Sequence, residues 1–170
     1  ANMWRITNDL WDSWGNIMEM FGRCDSWSPY VSEGCYPDCD MIPFGQLGKG
    51  FGHEWTSNLT FDEQSTLMSL WCIFRSPLML GCELTLLDED TIKVIKNADI
   101  LHLTGHSEGA RHIKRDADEV VWASRDERNG IYYIAQFNLE QQEKLMEIAD
   151  DEVFKIIELI DPNAAGKSLT

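Results

Sequence analysis

The sequence has few basic residues and no long apolar run, and each shortage excludes a class of function. Its 14 Lys and Arg residues stand against 29 Asp and Glu residues, which gives a net charge of −15. This charge repels phosphate backbones and anionic lipids, so we expect no nucleic acid and no membrane as partners. The longest apolar stretch, around Leu78-Met79-Leu80, is far shorter than the roughly 18 residues of a membrane-spanning helix. The first residues show no signal-peptide pattern, and the sequence assigns no compartment.

Cysteine is scarce and lacks the spacing of a metal site. There are five cysteines, so they cannot all form pairs. Cys72 and Cys82 lie in apolar segments and are interpreted as small buried hydrophobic residues. Cys35 and Cys39 lie four positions apart in a polar loop, where a disulfide or a zinc ion remains an alternative. No Cys-x-x-Cys pair or matched histidine spacing supports a metal, so we expect neither a metal nor a cofactor.

The first hundred residues alternate between helices, loops and short strands. A chain of 170 residues, of which 44% are hydrophobic, can form one packed domain or slightly more. Thr60 and Glu63 have the spacing of a capping box, in which each side chain binds the other residue's backbone N–H. The predicted elements are a helix capped by Asp12-Ser13 and running to about Arg23, a helix that begins at Thr60, a short buried strand at 78–81 and a helix that begins at Asp88.

The character of the sequence changes near residue 107. In the segments that follow, apolar and polar residues alternate, and β-branched and aromatic residues are frequent. This pattern predicts strands at 110–114, 119–124 and 131–137. Arg128-Asn129-Gly130 is typical of a hairpin turn between the last two. Segments 140–148 and 153–160 fit either a helix or a strand, and we interpret both as strands. We therefore predict two domains, at 1–107 and 108–170.

Two short polar loops hold a mixture of arginine, aromatic rings and carboxylates. The first runs from Trp4-Arg5 through Asp9 to Trp14, and the second is 36–41. Aromatic faces stack on the apolar face of a pyranose, arginine binds hydroxyl groups, and carboxylates carry out acid–base chemistry. The mixture is typical of a sugar-cleaving site, although acidic residues in such a loop also serve as helix caps.

The order of these residues resembles the α-galactosidases, or melibiases, of glycoside hydrolase family 27. The stretch from Trp4 to Trp14 resembles the signature W-R-x-x-x-D-x-x-D-S-W, and segments 36–41, 62–71 and 75–81 resemble the family in the same order. The resemblance covers about residues 4–100. It implies an α/β fold. The first part is the C-terminal portion of a (β/α)8 TIM barrel, about its last three βα units. Part of an antiparallel β-sandwich domain follows it.

The resemblance also implies roles for individual residues. Asp9 is the expected catalytic acid/base of a retaining mechanism, and Arg5, Asp40, Met41 and Trp11 are expected to bind the substrate. Because loops of a barrel converge at the strand ends, we expect the carboxylates of Asp9 and Asp40 to face one cleft, within roughly 6–12 Å of each other.

Three further expectations concern the surroundings of Asp9. A retaining acid/base needs a pKa above that of a free aspartate, and Trp4 and Trp11 are expected to raise it by desolvation. Arg5 is expected to face sugar hydroxyls or another carboxylate rather than Asp9. Asp12 is expected to be the N-cap of the following helix.

The resemblance implies hydrolysis of terminal α-D-galactosyl residues from galacto-oligosaccharides or glycoconjugates. The nucleophile of this mechanism, an Asp that follows a Lys on an earlier strand, is expected upstream of Ala1, and no Lys-x-Asp triplet is expected at a strand end within the chain. We therefore expect the isolated chain to be inactive. We also expect the N-terminal part of the barrel, or another copy of the chain, to cover the exposed sheet near Ile42, Leu78 and Leu80.

Two alternatives remain open from the sequence. The same fold could act on α-N-acetylgalactosaminides or β-L-arabinopyranosides. The chain could also be a non-catalytic sugar-binding fragment, because the segment that carries the nucleophile is missing.

Overall fold

The computed structural model describes residues 2–164, and the chain divides into two compact units, 1–105 and 106–170. Up to this boundary the elements are β1 (Met3–Arg5), α1 (Trp14–Trp27), β2 (Tyr36–Asp38), β3 (Gln46–Leu47), β4 (Trp55–Thr56), α2 (Phe61–Phe74), α3 (Glu89–Ile95) and α4 (Ala98–His106). After it come β5 (Glu108–Arg115), β6 (Glu119–Asp126), β7 (Ile131–Asn138) and α5 (Asp150–Ile160). Among the described residues, no helix has the length and apolar character needed to cross a lipid bilayer.

The parallel pairing of β1 with β2 places the ends of two strands side by side. α1 connects the two strands, as a parallel pair requires, and the register sets Arg5 opposite Asp38. A second parallel bridge joins Ile42 to Leu80, and α2 lies between these residues in the chain. The loops that follow β1 and β2 therefore begin at the same edge of this small sheet.

The two long helices of the first unit begin at capping residues that the sequence predicts. Ser13 is the N-cap of α1, and its Oγ accepts the N–H of Asn16 at 3.3 Å. Thr60 and Glu63 form the predicted capping box of α2. The fully buried side of α2 includes Leu67, Leu70, Trp71 and Phe74. Truncating a large side chain at such a site costs about 2–5 kcal/mol, so this helix anchors the unit.

Two details of the first unit differ from the sequence prediction. α1 continues to Trp27, one turn beyond the predicted end, before a short 3-10 turn that contains Pro29. The buried strand predicted at 78–81 is wrong, because Leu80 forms a single bridge and Met79 and Leu80 are 38% and 36% exposed. An apolar run becomes a strand only where a neighbour pairs along its length, and among the described residues this segment has only that one bridge.

The second unit contains the predicted antiparallel sheet, in the order β5-β6-β7. The turn between β6 and β7 is organised by the carboxylate of Asp126, which accepts the backbone N–H groups of Arg128 at 3.0 Å and Asn129 at 3.2 Å. Gly130 completes the turn with a φ of 67°, a conformation that favours glycine. These contacts confirm the hairpin turn at 128–130.

The region after β7 corrects the sequence interpretation. Strands are predicted at 140–148 and 153–160, but the first segment forms no regular element and the second belongs to the helix α5. The buried residues of α5 are Ile156, Ile157 and Ile160. They recur at helical spacing, and two of them pack against Val121 and Ala123 of β6. Three acidic residues in the first turn also favour a helix start, so periodicity outweighs the β-branched composition here.

Candidate active site

Arg5 joins two carboxylates at the edge where β1 and β2 end. Its Nη2 donates a hydrogen bond to Asp9 Oδ1 at 3.1 Å and also contacts Asp40 Oδ2. Asp9 lies in the loop after β1, and Asp40 lies in the loop after β2. Because both carboxylates share one nitrogen atom, they lie on the same side of the strand ends. The parallel pairing therefore brings together three of the residues that the sequence predicts for a sugar site.

Asp40 is the buried anchor of this cluster. Its side chain is 7% exposed, and its Oδ2 also accepts the backbone N–H of Leu10 at 2.6 Å. Its φ is 80°, a left-handed conformation that costs roughly 1–2 kcal/mol for most residues other than glycine. The N–H of Asp40 donates to Asp38 Oδ1 at 2.9 Å, so the buried Asp38 stabilises the loop. These hydrogen bonds hold the strained backbone in place.

Asp9 is the accessible carboxylate of the cluster, with a side chain that is 78% exposed. The expectation that Trp4 and Trp11 desolvate it is wrong. The ring of Trp4 packs against Trp27, with centroids 5.9 Å apart, and the ring of Trp11 packs against Phe51, with centroids 6.0 Å apart. Since both indoles are engaged elsewhere, the Asp9 carboxylate remains open to solvent.

The position of Arg5 also differs from the expectation. The guanidinium contacts another carboxylate, that of Asp40, as expected, but it also contacts Asp9, from which the sequence argument places it away. The reason is geometric, because the short loop after β1 returns Asp9 toward Arg5, four residues earlier, and the strand pairing brings Asp40 to the same nitrogen. Two carboxylates around one guanidinium leave the cluster with a net negative charge.

Asp12 does not cap α1, contrary to the sequence prediction. Its buried carboxylate instead reaches the loop 55–58, where Oδ2 accepts three hydrogen bonds. The donors are the backbone N–H of Asn58 at 2.7 Å, the side-chain amide of Asn58 at 2.7 Å and the indole N–H of Trp55 at 3.1 Å. Ser13 takes over the capping role. Asp12 therefore ties the loop that carries Asp9 to β4 and to the segment that follows β4.

Met41 and Trp11 are partly exposed apolar residues that lie next to the cluster in the sequence. Met41 follows Asp40 and is 52% exposed, and Trp11 is 42% exposed. Sequence reasoning did not assign Phe51 or Trp55 to the site, although both rings lie close to Trp11. The signal that could have found them is the Gly-x-Gly-x-Gly spacing at 48–52 between aromatic residues, which indicates a loop built around rings.

Cys39, next to the anchor Asp40, has Cys24 rather than Cys35 as its sulfur neighbour. The Sγ atoms of Cys24 and Cys39 lie 3.6 Å apart in the interior, and all five cysteines are free thiols. Burial, followed by the hydrogen bond with Cys39, raises the pKa of the Cys24 thiol well above its usual value. The disulfide considered for Cys35 and Cys39 is therefore not formed.

The expectation that no Lys-x-Asp triplet ends a strand is wrong. Lys114-Arg115-Asp116 has this pattern at the end of β5. The strand is antiparallel, and Asp116 lies in the turn to β6, where its N–H donates to the carbonyl oxygen of Glu119. Its carboxylate is 53% exposed and pairs with Lys114 Nζ at 3.0 Å. These contacts assign Asp116 to the turn between β5 and β6, where it stabilises the hairpin.

The packing of the loop at 48–55 predicts a larger loss of stability for a side chain at Gly48 than for one at Gly50. A Cβ at Gly48 would overlap the carbonyl oxygen of His53 and the ring of Trp55, whereas a Cβ at Gly50 would meet nothing within 4 Å. Both residues have positive φ, 83° and 94°. We expect Gly50→Ala to cost roughly 1–2 kcal/mol from backbone strain alone, and Gly48→Ala to cost about 1–3 kcal/mol more from overpacking. Urea unfolding of both variants measures the difference, and equal losses would contradict the close packing of Trp55 on Gly48.

Residues 1–105 match the model of the family Melibiase_2, described as alpha galactosidase A. Alpha-galactosidase 2 of Arabidopsis thaliana is 27% identical over 125 residues, which cover 72% of this chain and 29% of that protein. Probable alpha-galactosidase B of Aspergillus oryzae is 31% identical over 101 residues, which cover 59% of this chain and 21% of that protein. The chain thus spans less than a third of these relatives.

Solved structures give the same relationship. A variant of a β-L-arabinopyranosidase of glycoside hydrolase family 27 from Geobacillus stearothermophilus, in complex with arabinose, is 43% identical with a TM-score of 0.77, over 84% of this chain and 34% of that one. A putative α-N-acetylgalactosaminidase from Bacillus halodurans is 41% identical with a TM-score of 0.75, over 87% of this chain and 36% of that one. The family match over more than half of the sequence shows that the chain belongs to the melibiase family, glycoside hydrolase family 27, as its motifs predict.

Proposed function

We propose that this chain is the acid/base portion of a retaining glycoside hydrolase that releases terminal α-D-galactosyl residues from galacto-oligosaccharides or glycoconjugates. The observation that carries the proposal is the exposed carboxylate of Asp9, held beside Arg5 and Asp40 at the ends of two parallel strands. Loops at strand ends are where α/β barrels build their active sites.

Asp9 would act twice in this mechanism. As an acid it gives its proton to the glycosidic oxygen while that oxygen leaves the sugar, and as a base it takes a proton from the water that releases the sugar. A retaining mechanism also needs a nucleophilic carboxylate about 5 Å away. Asp40 is a poor candidate for that nucleophile, because it is buried and its Oδ2 is held by Arg5 and by the N–H of Leu10. We therefore assign the nucleophile to a segment outside this chain.

The remaining predicted residues would form the wall that binds the sugar. Arg5 is 39% exposed and can turn a donor toward a hydroxyl group, while Asp40 fixes its orientation. Met41 and Trp11 offer exposed apolar faces, which suit the C–H face of a pyranose. In this arrangement the charged residues select hydroxyl positions and the apolar residues exclude water.

We further propose that the first domain, 1–107, is about the last three βα units of a (β/α)8 barrel and that 108–170 is part of an antiparallel β-sandwich. The β1–α1–β2 connection and the parallel bridge between Ile42 and Leu80 support the barrel assignment. Within the described residues β1 pairs only with β2, and Met3 is 52% exposed. The N-terminal part of a barrel, or a second copy of the chain, would cover that edge.

The sugar could also be a β-L-arabinopyranoside or an α-N-acetylgalactosaminide. The identities of 43% and 41% to structures with these names favour such substrates as second candidates. β-L-Arabinopyranose carries the ring hydroxyls of galactose without the hydroxymethyl group, so the three sugars would present similar groups to Arg5 and Asp40. A comparison of substrates therefore has to include all three.

A chimera tests the proposal directly. In it, residues of this chain replace the matching segment of the Geobacillus β-L-arabinopyranosidase, whose remaining residues supply the rest of the fold. We expect no turnover of p-nitrophenyl α-D-galactoside by the isolated chain, because one carboxylate of the pair is absent. We expect the chimera to hydrolyse at least one of the three p-nitrophenyl glycosides.

Two outcomes would contradict the proposal. Robust turnover by the isolated chain would place the whole catalytic pair inside it. A chimera that folds, judged by its circular dichroism and thermal transition, but hydrolyses none of the three substrates would favour a non-catalytic sugar-binding role.

A further inference from the structure

Four aromatic rings form a connected surface beside the acid/base loop. The ring of Trp11 lies 6.0 Å from Phe51, nearly perpendicular at 83°, and 5.8 Å from Trp55 at 41°. His53 stacks on Trp55 with centroids 4.9 Å apart and an angle of 22°. Phe51 is 73% exposed and Trp11 is 42% exposed. Exposed aromatic rings in contact with one another are costly to keep in water, and such patches mark binding surfaces.

The backbone of this region is organised to present these rings. Gly48, Gly50 and Gly52 all have positive φ, which lets the chain fold back between β3 and β4. The ring of Trp55 lies directly against Gly48, where no side chain would fit. Lys49 Nζ pairs with Glu83 at 2.7 Å and fastens the loop from outside. The loop is therefore built around the ring of Trp55.

Asp12 fixes this surface relative to Asp9. The buried carboxylate of Asp12 accepts the indole N–H of Trp55 at 3.1 Å, so the edge of that ring is tied to the loop that carries Asp9. Trp11 lies two residues after Asp9, so their Cα atoms are at most about 7 Å apart. The aromatic surface therefore begins two residues after the proposed acid, in the same loop.

We propose that Trp11, Phe51 and Trp55 bind the leaving group of the substrate, and that this group is a neutral pyranose ring. The assignment rests on the proposed acid role of Asp9, because the leaving group is the part that Asp9 protonates. The C–H face of a pyranose stacks on aromatic rings, and none of these three rings carries a positive charge that would bind an anionic group. His53, which stacks on Trp55, extends this aromatic surface. The rings of Trp11, Phe51 and Trp55 are called the platform below, and Asp12 is a positioning residue for it.

Nuclear magnetic resonance of the 170-residue chain tests the platform without any hydrolysis. The indole N–H signals of the seven Trp residues are assigned with Trp→Phe variants and followed during addition of melibiose, a galactose joined to a glucose. We expect the Trp11 and Trp55 signals to move saturably, with a Kd of order millimolar. Methyl α-D-galactoside, which lacks the second ring, should leave the Trp55 signal in place.

Matched variants separate the platform from general aromatic surface. Phe51→Ala should raise the Kd for melibiose by roughly threefold to tenfold, the loss of one ring contact. Phe61→Ala, which removes a 50% exposed ring at the start of α2, should leave the Kd unchanged. Asp12→Ala should shift the Trp55 signal even without sugar and weaken melibiose binding, because the indole loses its acceptor.

Three results would overturn the proposal. The first is the absence of a saturable shift at Trp11 and Trp55 up to about 100 mM melibiose. The second is an equal response of the Trp55 signal to methyl α-D-galactoside. The third is tighter binding of phenyl α-D-galactoside than of melibiose, which would assign the platform to aryl groups. An active chimera with no indole response would reject only the platform, whereas an inactive chimera with a clear response would reject only the enzymatic proposal.

Discussion

Asp9→Asn in the chimera should lower kcat/KM for methyl α-D-galactoside by about 10²–10⁴, the usual contribution of a general acid. The same variant should lose much less kcat/KM on p-nitrophenyl α-D-galactoside. The nitrophenolate leaves without a proton, whereas the methoxide has to be protonated as the bond breaks. kcat/KM is the appropriate measure because it reports the first chemical step. If the chimera prefers another of the three sugars, the same pair of leaving groups is compared on that sugar.

Two controls make this result specific to acid catalysis. Asp99→Asn removes another exposed carboxylate, at the start of α4, and should leave both rates unchanged. Azide, a nucleophile that needs no general base, should raise the turnover of the aryl substrate by Asp9→Asn. Equal losses on the two leaving groups, or no response to azide, would remove Asp9 from the acid/base role.

Asp40→Ala should destabilise the first unit by roughly 2–4 kcal/mol, the largest loss we expect from any single carboxylate. The change leaves the N–H of Leu10 without its acceptor, removes a buried partner of Arg5, and puts alanine at a φ of 80°. The ion pair with Arg5 contributes only a small part of this free energy, because the guanidinium is 39% exposed and water screens the interaction. Urea unfolding followed by tryptophan fluorescence measures the free energy of unfolding.

Variants at the same cluster separate these contributions. Asp40→Gly removes the carboxylate without the backbone strain, so it should cost about 1–2 kcal/mol less than Asp40→Ala. Asp40→Asn keeps an acceptor for Leu10 and a residue that tolerates positive φ, so its loss should be smaller still. Asp9→Ala removes a carboxylate from the same Arg5 nitrogen, but this one is 78% exposed and should cost at most about 1 kcal/mol. Equal effects of Asp9→Ala and Asp40→Ala would contradict the assignment of Asp40 as the anchor.

Elements with local signals were predictable from the sequence. The capping box of Thr60 and Glu63 and the hairpin turn at 128–130 depend on residues a few positions apart, and both form as predicted. The segment 153–160 was not predictable in the same way, since its β-branched residues favour a strand while their spacing fits a helix. Packing against β6 resolves this conflict in favour of the helix.

In the candidate site, too, the residues were predictable from local motifs, whereas their contacts were not. The motif order alone identified the family and selected Arg5, Asp9 and Asp40, because these residues lie in short contiguous segments. It could not predict that Arg5 would contact Asp9, or that Trp4 and Trp11 would turn toward other rings. Such contacts depend on the rotamers and loop paths of residues that are distant in the chain.

By itself, the sequence determined the family, the starts of α1 and α2, the antiparallel strands and the identity of the acidic cluster, because each depends on local spacing or a contiguous motif. Only the tertiary structure decided that Asp40 is the buried anchor, that Asp12 binds Asn58 and Trp55 instead of capping α1, and that Phe51 joins Trp11 in one surface. These pairings join residues about 30 to 46 positions apart. Which distant loops meet is set by strand pairing and by the burial of polar groups that need partners, and neither is visible in a local pattern.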